Sequence, residues 1–193
     1  SSISYQIYLV TSENSPEYDK EYHNIKQYKI KYKLYDHAIT KVYEYIHREL
    51  QLALLVMALN KKVDAWIFFF GGDRYILPML AAKLYGRKII LLKGGSSIKD
   101  SICSDDIFYL ATVFSFWINT RLATYIILYS KSLIMEWGFE KFHHKILIAH
   151  EHFLDFNTFN VTTPFLSRPP LIGYIGRLSG EKGVQHFAQT LPA

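Results

Sequence analysis

Apolar and polar residues alternate along this chain in two distinct rhythms, and their order predicts alternating strands and helices. Residues 3–10 read as a first strand, followed by a polar loop with Ser12, Asn14, Ser15 and Pro16. Residues 28–35 read as a second strand, because Lys29, Lys31 and Lys33 interleave with Tyr28, Ile30, Tyr32 and Leu34 at period two. With Lys26 they form the densest basic run, and the alternation makes it a solvated lysine face. Asp36 is placed to cap a long helix in which Ile39, Val42, Ile46, Leu50, Ala53 and Met57 step by three or four along one face. Leu54, Leu55, Val56 and Leu59 widen that face, so burial on more than one side is expected, with Tyr43 and Tyr45 as packing residues.

The segment 64–70, DAWIFFF, is apolar after its first residue and rich in β-formers, as expected of a central parallel strand covered on both faces. Gly71 and Gly72 end it, residues 75–85 return as a helix with Pro78 in its first turn, and Gly86 stops that helix. Residues 88–92 give the next strand, closed by Lys93, Gly94, Gly95, Ser96 and Ser97. Ser104 with Asp105 and Asp106 reads as an N-cap and an acidic first turn of a helix reaching Leu122. Its rings Phe108, Tyr109, Phe114, Phe116 and Trp117 are read as core, and Arg121 gives it a basic end. A strand at 125–129, a short helix at 132–137 stopped by Gly138, and a strand at 145–149 follow. Repeated strand–turn–helix units imply an α/β fold, a Rossmann-like doubly wound parallel sheet. Ligands of such sheets bind at the carboxyl ends of the strands, which makes Gly71, Gly72, Lys93 and Gly94 candidate cleft-lining residues. Ordinary turn chemistry also accounts for them.

Composition narrows the class. The chain has 193 residues, half of them apolar, with 15 Tyr and 13 Phe, which excludes disorder. A single cysteine, Cys103, excludes an internal disulfide framework and fits a reducing, cytoplasmic compartment. The longest apolar approach to a span, residues 107–118, falls short of the roughly 18 residues a bilayer needs. The net charge of +5 is compatible with nucleic acid, an anionic membrane or phosphorylated small molecules. The cations are scattered and no nucleic-acid motif appears, so no nucleic-acid partner is expected.

The chemistry concentrates in LIGYIGRLSGEKG, residues 171–183. A short apolar run enters a loop bounded by Gly176 and Gly183, after which Val184, Phe187 and Ala188 recur at helical spacing. Arg177 and Lys182 sit where backbone N–H groups at a helix start already favour an anion, and a phosphate is the simplest one. A surface pair of Arg177 with Glu181 and a solvated Lys182 is the alternative reading. His150-Glu151-His152 suggests zinc, but no third ligand cluster accompanies it, so no metal is expected.

GYIGRLSGEKG resembles the start of the second domain of the retaining, nucleotide-sugar-dependent glycosyltransferases of GT-B fold, family 4, where a strand ends in a Gly-Arg-Leu-x-x-Glu-Lys-Gly turn. The resemblance implies that Arg177 and Lys182, with Gly176, bind the donor diphosphate. Tyr125 to Ser130 resembles the family's strand ending in serine, and Asp155 and Phe159 fit its exit toward the interdomain cleft, near His150. Where the family often carries His-Gly, this chain has Lys93-Gly94. The resemblance implies a partial acceptor-side Rossmann-like domain over 1–160, a linker over 161–170 rich in proline and hydroxyls, and the beginning of a nucleotide-sugar-binding domain over 171–193. It further implies transfer of a sugar from a nucleoside-diphosphate sugar to an acceptor hydroxyl, with no cofactor. The acceptor would be a sugar, polysaccharide or lipid-linked glycan, with the peripheral cytoplasmic face of a membrane as one setting. A non-catalytic Rossmann-like nucleotide- or partner-binding module is the alternative.

Overall fold

The computed structural model describes residues 5–31, 37–69, 72–95, 108–149, 163–170, 173–174, 176 and 183–190. The chain divides into two compact units, Ser1–His150 and Glu151–Ala193.

In the first unit, strands β1 (Ile7–Ser12) and β2 (Ile25–Ile30) pair in parallel, with Ile7 opposite Ile25. Both lie a few residues from their expected positions. A four-residue helix α1 (Tyr18–Glu21) joins them, because Gln27 reaches back to organise the loop. Its amide accepts from the Tyr18 N–H (2.9 Å) and donates to Thr11 Oγ1 (2.8 Å) and Pro16 O (2.9 Å). Lys26, Lys29 and Lys31 are exposed as expected, and Lys29 and Lys31 stand 3.8 and 3.3 Å from the carboxylates of Glu17 and Glu13.

The second sheet is four parallel strands in the order β3-β4-β5-β6: β3 (Ala65–Phe69), β4 (Lys88–Lys93), β5 (Tyr125–Leu128) and β6 (Ile146–Ile148). Helices α2 (Ala38–Leu59), α3 (Ile76–Leu84) and α4 (Tyr109–Leu122) and a short α5 (Ser132–Glu136) connect or precede these strands. The layout is α/β and compatible with Rossmann-like folds. The described strands advance across the sheet in one direction, without the reversal of order that double winding requires, and β1 and β2 form a sheet of their own. Among the described residues β3 is therefore an edge strand, whereas its sequence implies a central one.

Register and burial fix which face is covered. Trp66, Ile89, Leu91, Ile126 and Leu128 occupy one face and are buried against Val56 and Leu59 of α2, Met79, Ala81 and Ala82 of α3, and Phe139. On the other face Ile67 and Phe69 of β3, Tyr125 of β5 and Leu147 of β6 remain exposed. Gly86 and Gly138 stop their helices as expected, with φ of 68° and 72° in the left-handed region that a side chain disfavours.

Two helices are turned differently from the expectation. In α2, Ile39, Val42, Ile46, Leu50 and Met57 are exposed, whereas Glu44 and Glu49 are buried beside Ala53, Val56 and Leu59. Its N-cap is His37 with no side-chain cap, and Asp36 lies outside the described residues. In α4, Thr112, Ser115, Asn119 and Thr120 are buried while Tyr109, Leu110, Phe114 and Trp117 are exposed, so of the rings read as core Phe116 packs against the buried cluster, tilted on Phe139 at 5.3 Å. Its N-cap is Phe108; Ser104, Asp105, Asp106 and Cys103 lie outside the described residues. The polar face of α4 turns inward where Asn119 Nδ2 donates to Tyr75 O (3.1 Å), and the buried Ser115 Oγ is satisfied within the helix by Thr112 O (3.1 Å).

In the second unit a 3-10 turn, Phe165–Ser167, interrupts the segment read as linker, and α6 (Val184–Gln189) follows Gly183. Gly173 and Tyr174 lie in no strand, although residues 171–175 were expected to form one.

Candidate functional site

The carboxyl edge of β3 and β4 is built around a carboxylate that caps a neighbouring helix. Glu49 of α2 is 5 % exposed. Its Oε1 accepts the N–H of Ile76 (3.0 Å) and its Oε2 that of Leu77 (2.7 Å), the first two residues of α3. Helix α3 has no side-chain cap of its own, so Glu49 supplies from another helix the acceptors that its orphan N–H groups need. An anion at that position also complements the helix dipole. The Tyr45 hydroxyl lies 3.0 Å from Glu49 Oε1 and 2.6 Å from Arg74 O, tying α2 to the 3-10 turn Gly72–Arg74 that leaves β3. Burial first, and the Glu49 charge second, push the Tyr45 phenol well above its ordinary 10.0. Arg48 Nη1 donates to Tyr75 Oη (3.0 Å), and Tyr45 stacks between Tyr75 (6.0 Å) and Phe108 (5.5 Å).

Around this frame the candidate cleft residues are placed as follows. Gly72 opens the turn after β3, and a Cβ there would stand 3.0 Å from the Cβ of Phe68, a close approach that favours glycine. Lys93 ends β4 and is 3 % exposed. It lies on the face shared with Ile89 and Leu91, with its ammonium 5.3 Å from the centre of the Phe116 ring, so it faces the helix layer. Gly94 is exposed directly after it. Gly71 and His150 lie outside the described residues.

In the second unit Gly176 is exposed, and a Cβ there would meet the Tyr174 hydroxyl at 3.2 Å. Tyr174 packs on Phe187 of α6 at 5.7 Å, which ties the start of the glycine loop to the helix that follows it. Gly183 adopts φ 67° and ψ 21° as the N-cap of α6. Arg177 and Lys182, with the rest of 177–182, lie outside the described residues. Because α6 spans only six residues, its dipole is small, and the cations of the loop are the chemical feature that counts.

Two other places hold charged groups. At the carboxyl end of β2 a recess is lined by Tyr28, Lys29, Ile30, Lys31, Gln51 and Leu55, and its two lysines already face Glu17 and Glu13. At the opposite edge of the larger sheet, Lys145 donates to the carbonyls of Thr120 (2.5 Å), Arg121 (3.3 Å) and Ala123 (2.9 Å), closing the C-terminus of α4. Burial, then the nearby charges of Lys83 and Arg121, lower the Lys145 pKa. Arg121 stacks on Trp117, its guanidinium 3.6 Å from the ring centre.

Sequence reasoning missed Glu49 and Tyr45 as organising residues. Their four-residue spacing, with one tyrosine and one carboxylate on a single helical face, is the signal that points to them. Among the described residues no group of three His, Cys, Asp or Glu side chains is placed to hold a metal ion, and no helix is long and apolar enough to cross a membrane. No family model matches the chain, and no curated protein matches it at a significant level.

Proposed function

We propose that the chain belongs to a retaining glycosyltransferase of GT-B type that takes a nucleoside-diphosphate sugar as donor. The observation that carries this reading is the segment from Gly176 to Gly183, GRLSGEKG, in which two cations are bracketed by glycines immediately before a helix. The left-handed Gly183 and the Tyr174–Phe187 contact support it, since they fix both ends of the loop on α6. The parallel sheet with a glycine turn at the end of β3 supports the α/β class that such enzymes use. Arg177 and Lys182 offset the negative charge that builds on the departing diphosphate as the glycosidic bond breaks, and the Gly176 backbone approaches the phosphate closely. The acceptor is a sugar, polysaccharide or lipid-linked hydroxyl.

Titration calorimetry of the full-length protein with UDP, GDP, ADP and their sugar conjugates tests this. One of them is expected to bind, and Arg177→Ala or Lys182→Ala to weaken that binding at least tenfold with an unchanged circular-dichroism spectrum. The reading fails if no nucleoside diphosphate binds, or if both variants bind as the parent does. Binding without sugar transfer to any acceptor would identify a non-catalytic nucleotide-binding module.

A further inference from the structure

The outward face of α2 is the most extensive unexplained surface among the described residues. Ile39, Val42, Tyr43, Ile46, Leu50, Leu54 and Met57 lie along it, with exposures between 36 % at Met57 and 85 % at Ile39. A helix whose outer side is solvated normally carries its charges there. In α2 the two acidic residues, Glu44 and Glu49, are both buried instead.

The spacing of the stripe is informative. Ile39, Tyr43, Ile46, Leu50 and Met57 are separated by 4, 3, 4 and 7 residues, a heptad alternation whose one skipped place is Ala53, which is buried in the core of its own copy. Such a narrow repeat marks a helix–helix seam. It is also self-complementary on reversal about position 48: Ile39 comes opposite Met57 and Ile46 opposite Leu50, while Tyr43 falls opposite the place of the small, buried Ala53. Each exposed pair sets one residue of the repeat against its alternate, as antiparallel packing requires. At roughly 200 Å² of accessible surface per large apolar residue, the exposed fractions amount to on the order of 800 Å² per copy, the size of a standard interface.

We propose that α2 pairs antiparallel with α2 of a second copy, across a twofold axis near residue 48, to give an isologous dimer. Val42 and Leu54 flank the seam on either side. The surface belongs to the first unit and does not involve the diphosphate loop, so this inference stands or falls independently of the transferase reading.

Sedimentation velocity of the whole chain at micromolar concentration tests it. The parent is expected to sediment as a dimer. Leu50→Glu, at an exposed position beside the axis, is expected to raise the dissociation constant at least a hundredfold while leaving the helical circular dichroism intact. For register, chains carrying Ile46→Cys and Leu50→Cys, each with Cys103→Ser, are mixed and oxidised. The mixed disulfide is expected to make up well over the half of all disulfides that random pairing of equal amounts of the two chains would give. A monomeric parent overturns the proposal, as does a dimer that Leu50→Glu leaves unaffected, or a statistical yield of disulfides. A monomer that cosediments with anionic phospholipid vesicles through the same stripe would also overturn it, and would name a lipid surface as the occupant.

Discussion

Replacing Glu49 tests the central claim about how the sheet edge is held. The carboxylate makes two backbone hydrogen bonds, at 3.0 and 2.7 Å, to the start of α3, and is 5 % exposed. Hydrogen bonds to a charged group contribute about 1.5–3 kcal/mol each. Favourable interaction with the start of the α3 dipole adds about 0.5 kcal/mol. Against this, removing a buried carboxylate returns some of its desolvation cost, on the order of 1–2 kcal/mol. The net expectation for Glu49→Ala is a loss of about 3 kcal/mol, a melting-temperature drop of about 6–12 °C at this chain size. Glu49→Gln keeps the shape but has one carbonyl oxygen for two N–H donors, and its amide N–H₂ opposes the second, so about 2 kcal/mol is expected. Urea unfolding followed by circular dichroism measures both, and a double-mutant cycle with Tyr45→Phe should return a coupling of about 1 kcal/mol. A loss below about 1 kcal/mol for Glu49→Ala would refute the cap, and would show that burial of the charge outweighs its hydrogen bonds.

Three further predictions follow from described contacts. Tyr45→Phe should remove an alkaline instability: the folded phenol holds its proton above the ordinary 10.0, so its contribution is fully present below pH 10, and the parent-minus-variant difference in chemical denaturation should hold steady up to that pH and shrink as pH is raised above it. Lys145 gives the opposite slope, because its folded pKa lies below 10.5; the unfolded chain binds more protons just below that value, stability rises with pH there, and Lys145→Met should flatten that rise while costing about 1–2 kcal/mol at pH 7 through the opened end of α4. Phe139→Ala empties a fully buried site against Phe116 and should cost about 3–5 kcal/mol in the same unfolding assay.

The elements that could be read from the sequence are those whose ends carry a local device. Gly86 and Gly138 stop helices because only glycine takes φ near 70° cheaply, and β4 and β5 appear where their short apolar runs predict. What eluded the sequence depends on contacts between distant segments. DAWIFFF reads as a central strand because aromatic and β-branched residues fill both faces, yet strand order is set by pairing, and β1 and β2 pair with each other. The starts of α2 and α3 carry no side-chain caps, so where they begin leaves no local mark. Of the donor loop, motif and cations are legible because a phosphate turn is local in sequence, while the trans cap of α3 joins residues 27 and 28 apart and has no such signature.

Helix α2 shows most clearly why periodicity identifies a face without saying where it points. It carries two apolar stripes, one through Ile39, Ile46, Leu50 and Met57 and another through Leu52, Val56 and Leu59, and the first is the more regular. Hydrophobic pattern alone favours burying the first. Rotating the helix to do so would carry Glu49 away from the N–H groups of Ile76 and Leu77 and Tyr45 away from Arg74 O, uncapping α3 and releasing the turn that ends β3. Leaving backbone donors unpaired in a part-buried helix start costs up to about 1–3 kcal/mol each. Burying Ala53, Val56 and Leu59 instead still contributes apolar stabilisation, at about 25 cal/mol per Å². The polar contacts therefore decide the orientation, and the regular stripe is left facing outward, with the geometry a second helix would need.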